Sequence, residues 1–92
     1  MSRRRLRVAG RVQGVSFRAY AVDEARRLGL RGWVRNRRDR TVEALVEGDD
    51  AAIAAFVRWC HEGSPAAQVT KVDVEDDGGH DRLDGFTVAP TA

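Results

Sequence analysis

The feature that most constrains the fold is a change in the spacing of apolar residues near the start of the chain. Leu6, Val8 and Val12 stand an even number of residues apart, which predicts a strand with one buried face over residues 4–12. The apolar residues that follow recur every three or four positions, which predicts a helix. The chain therefore passes from a strand into a helix through residues 13–17.

The loop between these two elements has the properties of an anion-binding site. Gly14 can adopt left-handed backbone conformations, so successive backbone N–H groups of residues 13–17 can converge on one ligand. These amides precede a helix, whose first turn has unpaired N–H groups and the positive end of the helix dipole. Arg18 adds a permanent, forked positive charge. A tight turn followed by a solvated arginine would account for the same residues, so this pattern alone leaves both interpretations open.

Length and composition limit the classes of protein to consider. The 92 residues predict one domain spanning residues 1–92, and 42% hydrophobic with 33% charged residues is typical of a globular protein. The longest apolar run, residues 51–57, is too short to cross a bilayer, and the basic start of the chain lacks the apolar core of a secretory signal. Cys60 is the only cysteine, which fits a reducing compartment. We therefore expect a cytoplasmic protein.

Charge is distributed unevenly, although the net charge is only +2. Residues 1–40 contain thirteen arginines and three acids, whereas residues 41–92 contain three basic residues and eleven acids. The first part therefore carries the field that attracts an anion. Lys71 is the only lysine beside fifteen arginines, which indicates a general preference for arginine, so we expect most of these side chains to be solvated surface.

The remaining periodic segments complete the order of elements. They are a strand at residues 32–36, a strand at residues 41–47, a helix between residues 48–50 and 63–65, a strand around residues 71–75 and a short strand at residues 85–88. The order β-α-β-β-α-β plus a short terminal strand predicts an α+β class and a ferredoxin-like sandwich, in which an antiparallel sheet carries both helices on one face. Val72, Val74, Phe86 and Val88 are expected to face inward.

Two segments resemble the signatures of a known family. Residues 10–18 (GRVQGVSFR) resemble the first signature of the acylphosphatase family, and residues 32–36 (GWVRN) resemble its second. Residues 63–72 and 86–88 are similar to later segments of the family, so the resemblance covers nearly the whole chain. It implies hydrolysis of small-molecule acyl phosphates without a metal or cofactor, with catalytic roles for Arg18 and Asn36. The loop residues that would bind phosphate or another anion are Gln13, Gly14, Val15, Ser16, Phe17 and Arg18.

The chemistry of these residues agrees with that activity. The amide of Asn36 can accept a hydrogen bond from a water molecule and donate one to a phosphate oxygen, but it cannot act as a strong base. No convincing general acid stands near the loop in the sequence. A carboxylate, whose conjugate acid has a pKa of about 4, leaves without being protonated. Acyl phosphates therefore suit this site better than phosphate esters, whose alcohol leaving group needs an acid.

One departure from the family pattern falls close to Asn36. The family commonly has a glycine after the aspartate of the hairpin turn, whereas Arg40 stands there. Either the turn type changes or a non-glycine residue adopts an unfavourable φ. The turn could thereby alter the placement of Asn36. Residues 89–92 also differ from the usual pattern.

Two other classes of function are weighed against the enzyme. Ferredoxin-like sheets include RNA-binding domains, but the outward residues of the first strand are arginines rather than stacking aromatic rings. An accessory domain without catalysis, like the acylphosphatase-like domain of a hydrogenase maturation protein, is the other alternative. We expect a monomer that binds neither membranes nor nucleic acid.

Other chemically active side chains have structural interpretations. Cys60 lies on the predicted apolar stripe of the second helix, which favours a packed side chain over a nucleophile. His80 stands in an acidic segment whose spacing matches no metal site, so a solvated loop is favoured. Glu43 and Glu47 are expected to pair with arginines on the neighbouring strand rather than to form a catalytic carboxylate pair.

Overall fold

A computed structural model describes residues 1–92. The elements are β1 (Ser2–Arg11), α1 (Phe17–Arg27), β2 (Arg31–Asn36), β3 (Val42–Gly48), α2 (Asp50–Glu62), β4 (Gln68–Asp76) and β5 (Phe86–Val88). This order confirms the predicted ferredoxin-like α+β fold. Neither helix has the length and apolar character that a membrane-spanning segment needs.

All five strands belong to one sheet, in the order β4-β1-β3-β2-β5. The first four strands pair antiparallel, as predicted, but β5 pairs parallel to β2, so the complete sheet is mixed. The topology requires this difference. Strand β4 runs opposite to β2, so β4 ends at the end of the sheet where β2 begins. The connection from β4 stays at that end, so β5 starts there and runs in the same direction as β2.

This topology brings two separate parts of the chain to one end of the sheet. Strands β1 and β2 are each antiparallel to β3, which lies between them, so β1 and β2 run in the same direction. Their carboxyl ends therefore lie at the same edge. The loop from β1 into α1 and the last residue of β2, Asn36, meet there.

The core lies between the inner face of the sheet and the two helices. Leu6 and Ala44 are opposite each other in the register of β1 and β3, and both are buried. Aromatic rings join the helices: the Phe17 ring of α1 lies 5.1 Å from the Trp59 ring of α2, which in turn stacks on Phe56 at 5.9 Å, measured between centroids. The aromatic contacts of Phe17 fix the first turn of α1 against α2.

Two valines predicted to face inward are less buried than expected. Val74 is opposite the buried Leu6, and Val88 is opposite the buried Val34, so both lie on the inner face. Their exposed fractions are nevertheless 43% and 50%. Both belong to edge strands, which have a neighbouring strand on one side only, and an alternating pattern cannot distinguish an edge strand from a central one.

The outer face of the sheet is a grid of ion pairs rather than an apolar surface. Arg35 binds Glu43 at 2.6 Å and Arg31 binds Glu47 at 3.1 Å, which confirms the predicted cross-strand pairs. Trp33 lies on this face, with the Arg35 guanidinium 4.6 Å from the centroid of its ring. The acids of the second half of the chain thus neutralise arginines of the first half.

Candidate active site

A cleft of about 510 Å³ opens at the end of the sheet where β1 and β2 terminate. The residues that line it are Val12, Gly14, Ser16, Phe17, Arg18, Ala19, Asn36 and Val88. The lining therefore includes four of the six predicted phosphate-binding residues, Gly14, Ser16, Phe17 and Arg18. It also includes both predicted catalytic residues, Arg18 and Asn36. The lining contains no Asp, Glu, His, Lys, Cys or Tyr side chain.

The loop into α1 contains two residues with left-handed backbone conformations. Gly14 has a φ of 74° and Ser16, the N-cap of α1, has a φ of 62°. A left-handed φ is costly for a residue with a Cβ atom, so Ser16 is a strained position of the kind that clusters at ligand sites. The backbone N–H groups of Gly14, Val15 and Ser16 donate to no other group of the protein. Unpaired donors at a helix N-terminus are suited to binding an anion.

Arg18 lies in the first turn of α1 and lines the same cleft. Its side chain is half-buried, and it makes no hydrogen bond or ion pair with any protein group. By contrast, most arginines on the outer face of the sheet are neutralised by acids. A guanidinium left without a partner beside free amides is suited to binding an anion through two parallel hydrogen bonds.

Asn36 closes the opposite side of the cleft from the last position of β2. It shares the inner face of the sheet with Val34, because alternate residues of a strand point the same way. The backbone of Asn36 is fixed by pairing with Val42 and by a hydrogen bond of 3.0 Å from the N–H of Ala92 to its carbonyl oxygen. Its side-chain Oδ1 atom is buried and has no hydrogen-bond partner. Because this acceptor has no protein partner, a rotation of the side chain that turns it toward the cleft would let it bind a water molecule without breaking a protein hydrogen bond.

Two residues of the predicted phosphate-binding set direct their side chains elsewhere. The Nε2 atom of Gln13 donates to the backbone oxygens of Arg37, at 2.7 Å, and Thr41, at 2.9 Å. Val15 packs against the core, and its carbonyl oxygen accepts a hydrogen bond of 2.6 Å from the hydroxyl of Ser64. Only the backbone of these residues is available to a ligand. The sequence contains no local signal for the Gln13 contact, because Arg37 and Thr41 are distant from Gln13 along the chain.

The turn after Asn36 contains Arg40 with a φ of 74°. Of the two alternatives for this departure, the structure therefore shows a non-glycine residue in the left-handed region. The turn is held by Asp39, which accepts hydrogen bonds from the N–H of Thr41 at 3.0 Å and from its hydroxyl at 2.6 Å. The pKa of Asp39 is lowered chiefly by these hydrogen bonds.

A buried carboxylate supports the strand that carries Asn36. Glu43 of β3 is only 2% exposed, and it binds Arg5 at 2.8 Å, Arg35 at 2.6 Å and Arg37 at 3.0 Å. Burial on its own would raise the pKa of Glu43, but hydrogen bonds from the three arginines outweigh it and lower the pKa to about 2. Because Arg37 follows Asn36 directly, this charge cluster ties the end of β2 to β3.

The other chemically active side chains lie away from the cleft. Cys60 is unpaired and packed in the core, and burial raises the pKa of its thiol. Asp81, the residue after His80, forms an ion pair with Arg3 at 2.8 Å. No group of three or more His, Cys, Asp or Glu side chains is placed to hold a metal ion.

Comparison with known proteins identifies the family. Residues 4–88 match the model of the family described as Acylphosphatase. An acylphosphatase from Anaeromyxobacter dehalogenans is 63% identical over 73 residues, which cover 79% of this chain and 78% of the relative. One from Azoarcus is 52% identical over 91 residues, which cover 99% and 92%. The crystal structure of the acylphosphatase from Bacillus subtilis superposes with a TM-score of 0.92 at 39% identity, covering 97% of this chain and 99% of that one. The chain belongs to the acylphosphatase family.

Proposed function

We propose that this protein hydrolyses the carboxyl–phosphate bond of acyl phosphates, with Arg18 and the loop amides binding the phosphoryl group and Asn36 orienting the attacking water. The observation that carries the assignment of roles is the placement of unpartnered groups. The Arg18 guanidinium, the loop N–H donors and the Asn36 Oδ1 atom are all free of protein partners around one cleft.

The loop and Arg18 supply positive potential where charge spreads during phosphoryl transfer. The equatorial phosphate oxygens would accept hydrogen bonds from the N–H groups of Gly14, Val15 and Ser16 and from the fork of Arg18. Phosphoryl transfer needs little covalent help from an enzyme, because positioning and charge stabilisation account for most of the catalysis. The donors are held rigidly by α1 and by the core contacts of Phe17.

Asn36 would orient the nucleophile. Its Oδ1 atom accepts a hydrogen bond from water, while its NH₂ group donates to a phosphate oxygen. The water oxygen forms a bond to phosphorus as the bond from phosphorus to the acyl oxygen breaks. The electron pair of that bond leaves with the carboxylate, and the proton of the water passes to a phosphate oxygen. The products are a carboxylate and inorganic phosphate.

The composition of the cleft restricts the leaving group. None of the lining residues can act as a general acid. A carboxylate with a conjugate-acid pKa of about 4 departs unprotonated, whereas an alkoxide does not. Acyl phosphates are therefore preferred over alkyl phosphate esters.

Hydrolysis of benzoyl phosphate by the purified protein tests this proposal. We expect hydrolysis well above the uncatalysed rate, no change on adding a chelator, and no activity on an alkyl phosphate ester. Activity indistinguishable from the background would contradict the assignment. A rate that falls with chelator and recovers with added metal would contradict metal independence alone.

We extend the proposal to a monomeric, cytoplasmic enzyme that does not depend on nucleic acid. Cys60 is unpaired, as is usual in a reducing compartment. The arginines on the outer face of the sheet, such as Arg5 and Arg35, are already paired with acids, so this face has little excess charge for phosphate backbones. Size-exclusion chromatography with light scattering tests the oligomeric state, and cell fractionation tests the location.

A further inference from the structure

A second cleft, of about 390 Å³, lies close to the first. Its lining consists of Gly10, Arg11, Val12, Gln13, Arg37, Arg38, Arg40 and Thr91, and we call it the arginine groove. Val12 lines both clefts, and the side chain of Gln13 reaches across to the hairpin beside the groove. The groove lining contains four arginines and no acidic residue.

The arginines of the groove differ from those of the outer sheet face in their partners. Arg11, Arg38 and Arg40 form no side-chain hydrogen bond and no ion pair, although the chain carries enough acids to neutralise most of its other arginines. The fourth, Arg37, is paired with acids, because its Nη1 atom binds Glu43 at 3.0 Å and its Nε atom lies 4.0 Å from Asp39, so the groove has three arginines without an acidic partner. Unneutralised like charges around one concave surface raise its affinity for an anion.

Arg40, which lines the groove, has a strained backbone. Its φ of 74° is readily adopted by glycine and is uncommon for an arginine. The strain persists because Asp39 and Thr41 hold the turn. The strained turn holds Arg40 beside the groove that it lines.

We infer that the arginine groove is a second anion site, which binds a phosphate group. Guanidinium forks match phosphate oxygens through parallel hydrogen bonds, and the hydroxyl of Thr91 can add a further donor. The phosphate could belong to the far end of the acyl chain of a substrate or to a separate oligophosphate. The kinetic test described below rests on the proposed hydrolysis of acyl phosphates. The binding measurement does not depend on that function.

Binding is measured by calorimetry with tripolyphosphate, in an Arg18→Gln background that weakens the active-site loop. Arg38→Gln combined with Arg40→Gly removes two groove charges, and Arg58→Gln combined with Arg82→Gln removes two charges elsewhere. We expect the groove pair to weaken binding about tenfold, the equivalent of one charge-assisted contact, and the control pair less than about twofold. Equal losses in both pairs, or no binding in the Arg18→Gln background, would overturn the site. Circular dichroism verifies that each variant is folded.

Steady-state kinetics distinguish the two sources of the phosphate. The groove pair is tested for this purpose in protein that retains Arg18. If the substrate supplies it, the groove pair lowers kcat/KM for an acyl phosphate with a terminal phosphate on its acyl chain and leaves benzoyl phosphate unaffected. If a separate oligophosphate is the ligand, both substrates are unaffected while tripolyphosphate binding weakens. Equal losses for both substrates would show that these arginines act on the reacting cleft and would overturn a distinct site. Wild-type protein that fails to hydrolyse benzoyl phosphate would refute the proposed function and leave the binding result intact.

Discussion

The Nε2 atom of Gln13 donates a hydrogen bond of 2.7 Å to the backbone oxygen of Arg37, the residue that follows Asn36. The same atom donates to the backbone oxygen of Thr41 at 2.9 Å. One amide group thus joins the loop that carries the N–H donors to both sides of the turn beyond Asn36. The distance between the two halves of the site therefore depends on a side chain that touches neither water nor phosphate.

Replacing Gln13 by Met tests this link. Arg37 O keeps its bond from the N–H of Arg40, and Thr41 O keeps its bond from the N–H of Arg37, so we expect a loss of stability of only about 1 kcal/mol. We expect kcat for benzoyl phosphate to fall about tenfold, because misplacement of Asn36 is costly in the transition state. The inhibition constant of inorganic phosphate should change less than twofold. Gln68→Met, at an exposed position, is the control, and an equal loss of rate and phosphate affinity would contradict a positioning role.

Arg18→Lys tests the forked contact to phosphate. Lysine keeps the charge but loses the planar pair of donors, so we expect kcat/KM to fall roughly a hundredfold or more and phosphate to bind at least about tenfold more weakly. The melting temperature should change little, because Arg18 makes no hydrogen bond or ion pair with the protein. Arg58→Lys, the same substitution at an exposed position, is the control and should leave the kinetics unchanged. Wild-type kinetics in Arg18→Lys would exclude Arg18 from the site.

Asn36→Ala separates water orientation from phosphate binding. We expect kcat to fall about a hundredfold, which is typical when one preorganised polar group is removed. Stability should be equal or higher, because the Oδ1 atom of Asn36 is buried without a partner and its removal relieves an unsatisfied group. Asn36→Asp, in contrast, should raise the inhibition constant of phosphate, since its carboxylate repels the anion. A phosphate affinity that falls as much in the alanine variant as in the aspartate variant would contradict this division of roles.

The pKa of Glu43 predicts how stability depends on pH. Its folded-state pKa of about 2 lies below the ordinary value of 4.5, so the arginine contacts stabilise the fold above about pH 4.5 and are lost as the pH falls toward 2. The difference corresponds to at most about 3 kcal/mol. We expect urea unfolding at pH 7 and pH 2.5 to show a smaller change in Glu43→Gln than in the wild type. Glu75→Gln, at an exposed position, should retain the wild-type difference, and an unaltered pH dependence in Glu43→Gln would contradict this role.

Most of the fold was predictable because its inner face follows simple periodicities. The alternation through Leu6 and Val8 and the helical spacing after Phe17 correctly predicted the first two elements. The exposure of Val74 and Val88 was not predictable, because it depends on which strands lie at the edges of the sheet. The parallel pairing of β5 follows instead from the direction of β4, whose carboxyl end lies at the end of the sheet where β2 begins.

The site was predictable in composition but not in geometry. The resemblance to the family signatures predicted catalytic roles for Arg18 and Asn36, and both residues line one cleft in the structure. The side chain of Gln13 contacts a turn that is distant in sequence, and local patterns contain no signal for such a contact. Arg40 was recognised as a departure from the family pattern, but its backbone conformation could be read only from the structure.

The position of β3 between β1 and β2 also determines when the site comes into existence during folding. The loop follows β1 and Asn36 ends β2, and these two strands are not neighbours in the sheet, because β3 lies between them and pairs with both. The pairing of Val8 with Val42 closes a long stretch of chain, and non-local pairings of this kind slow folding. Neither the β1–α1 segment nor the β2–β3 hairpin holds a complete site by itself. Recovery of activity in a refolding experiment should therefore report on the joining of β1 and β2 through β3.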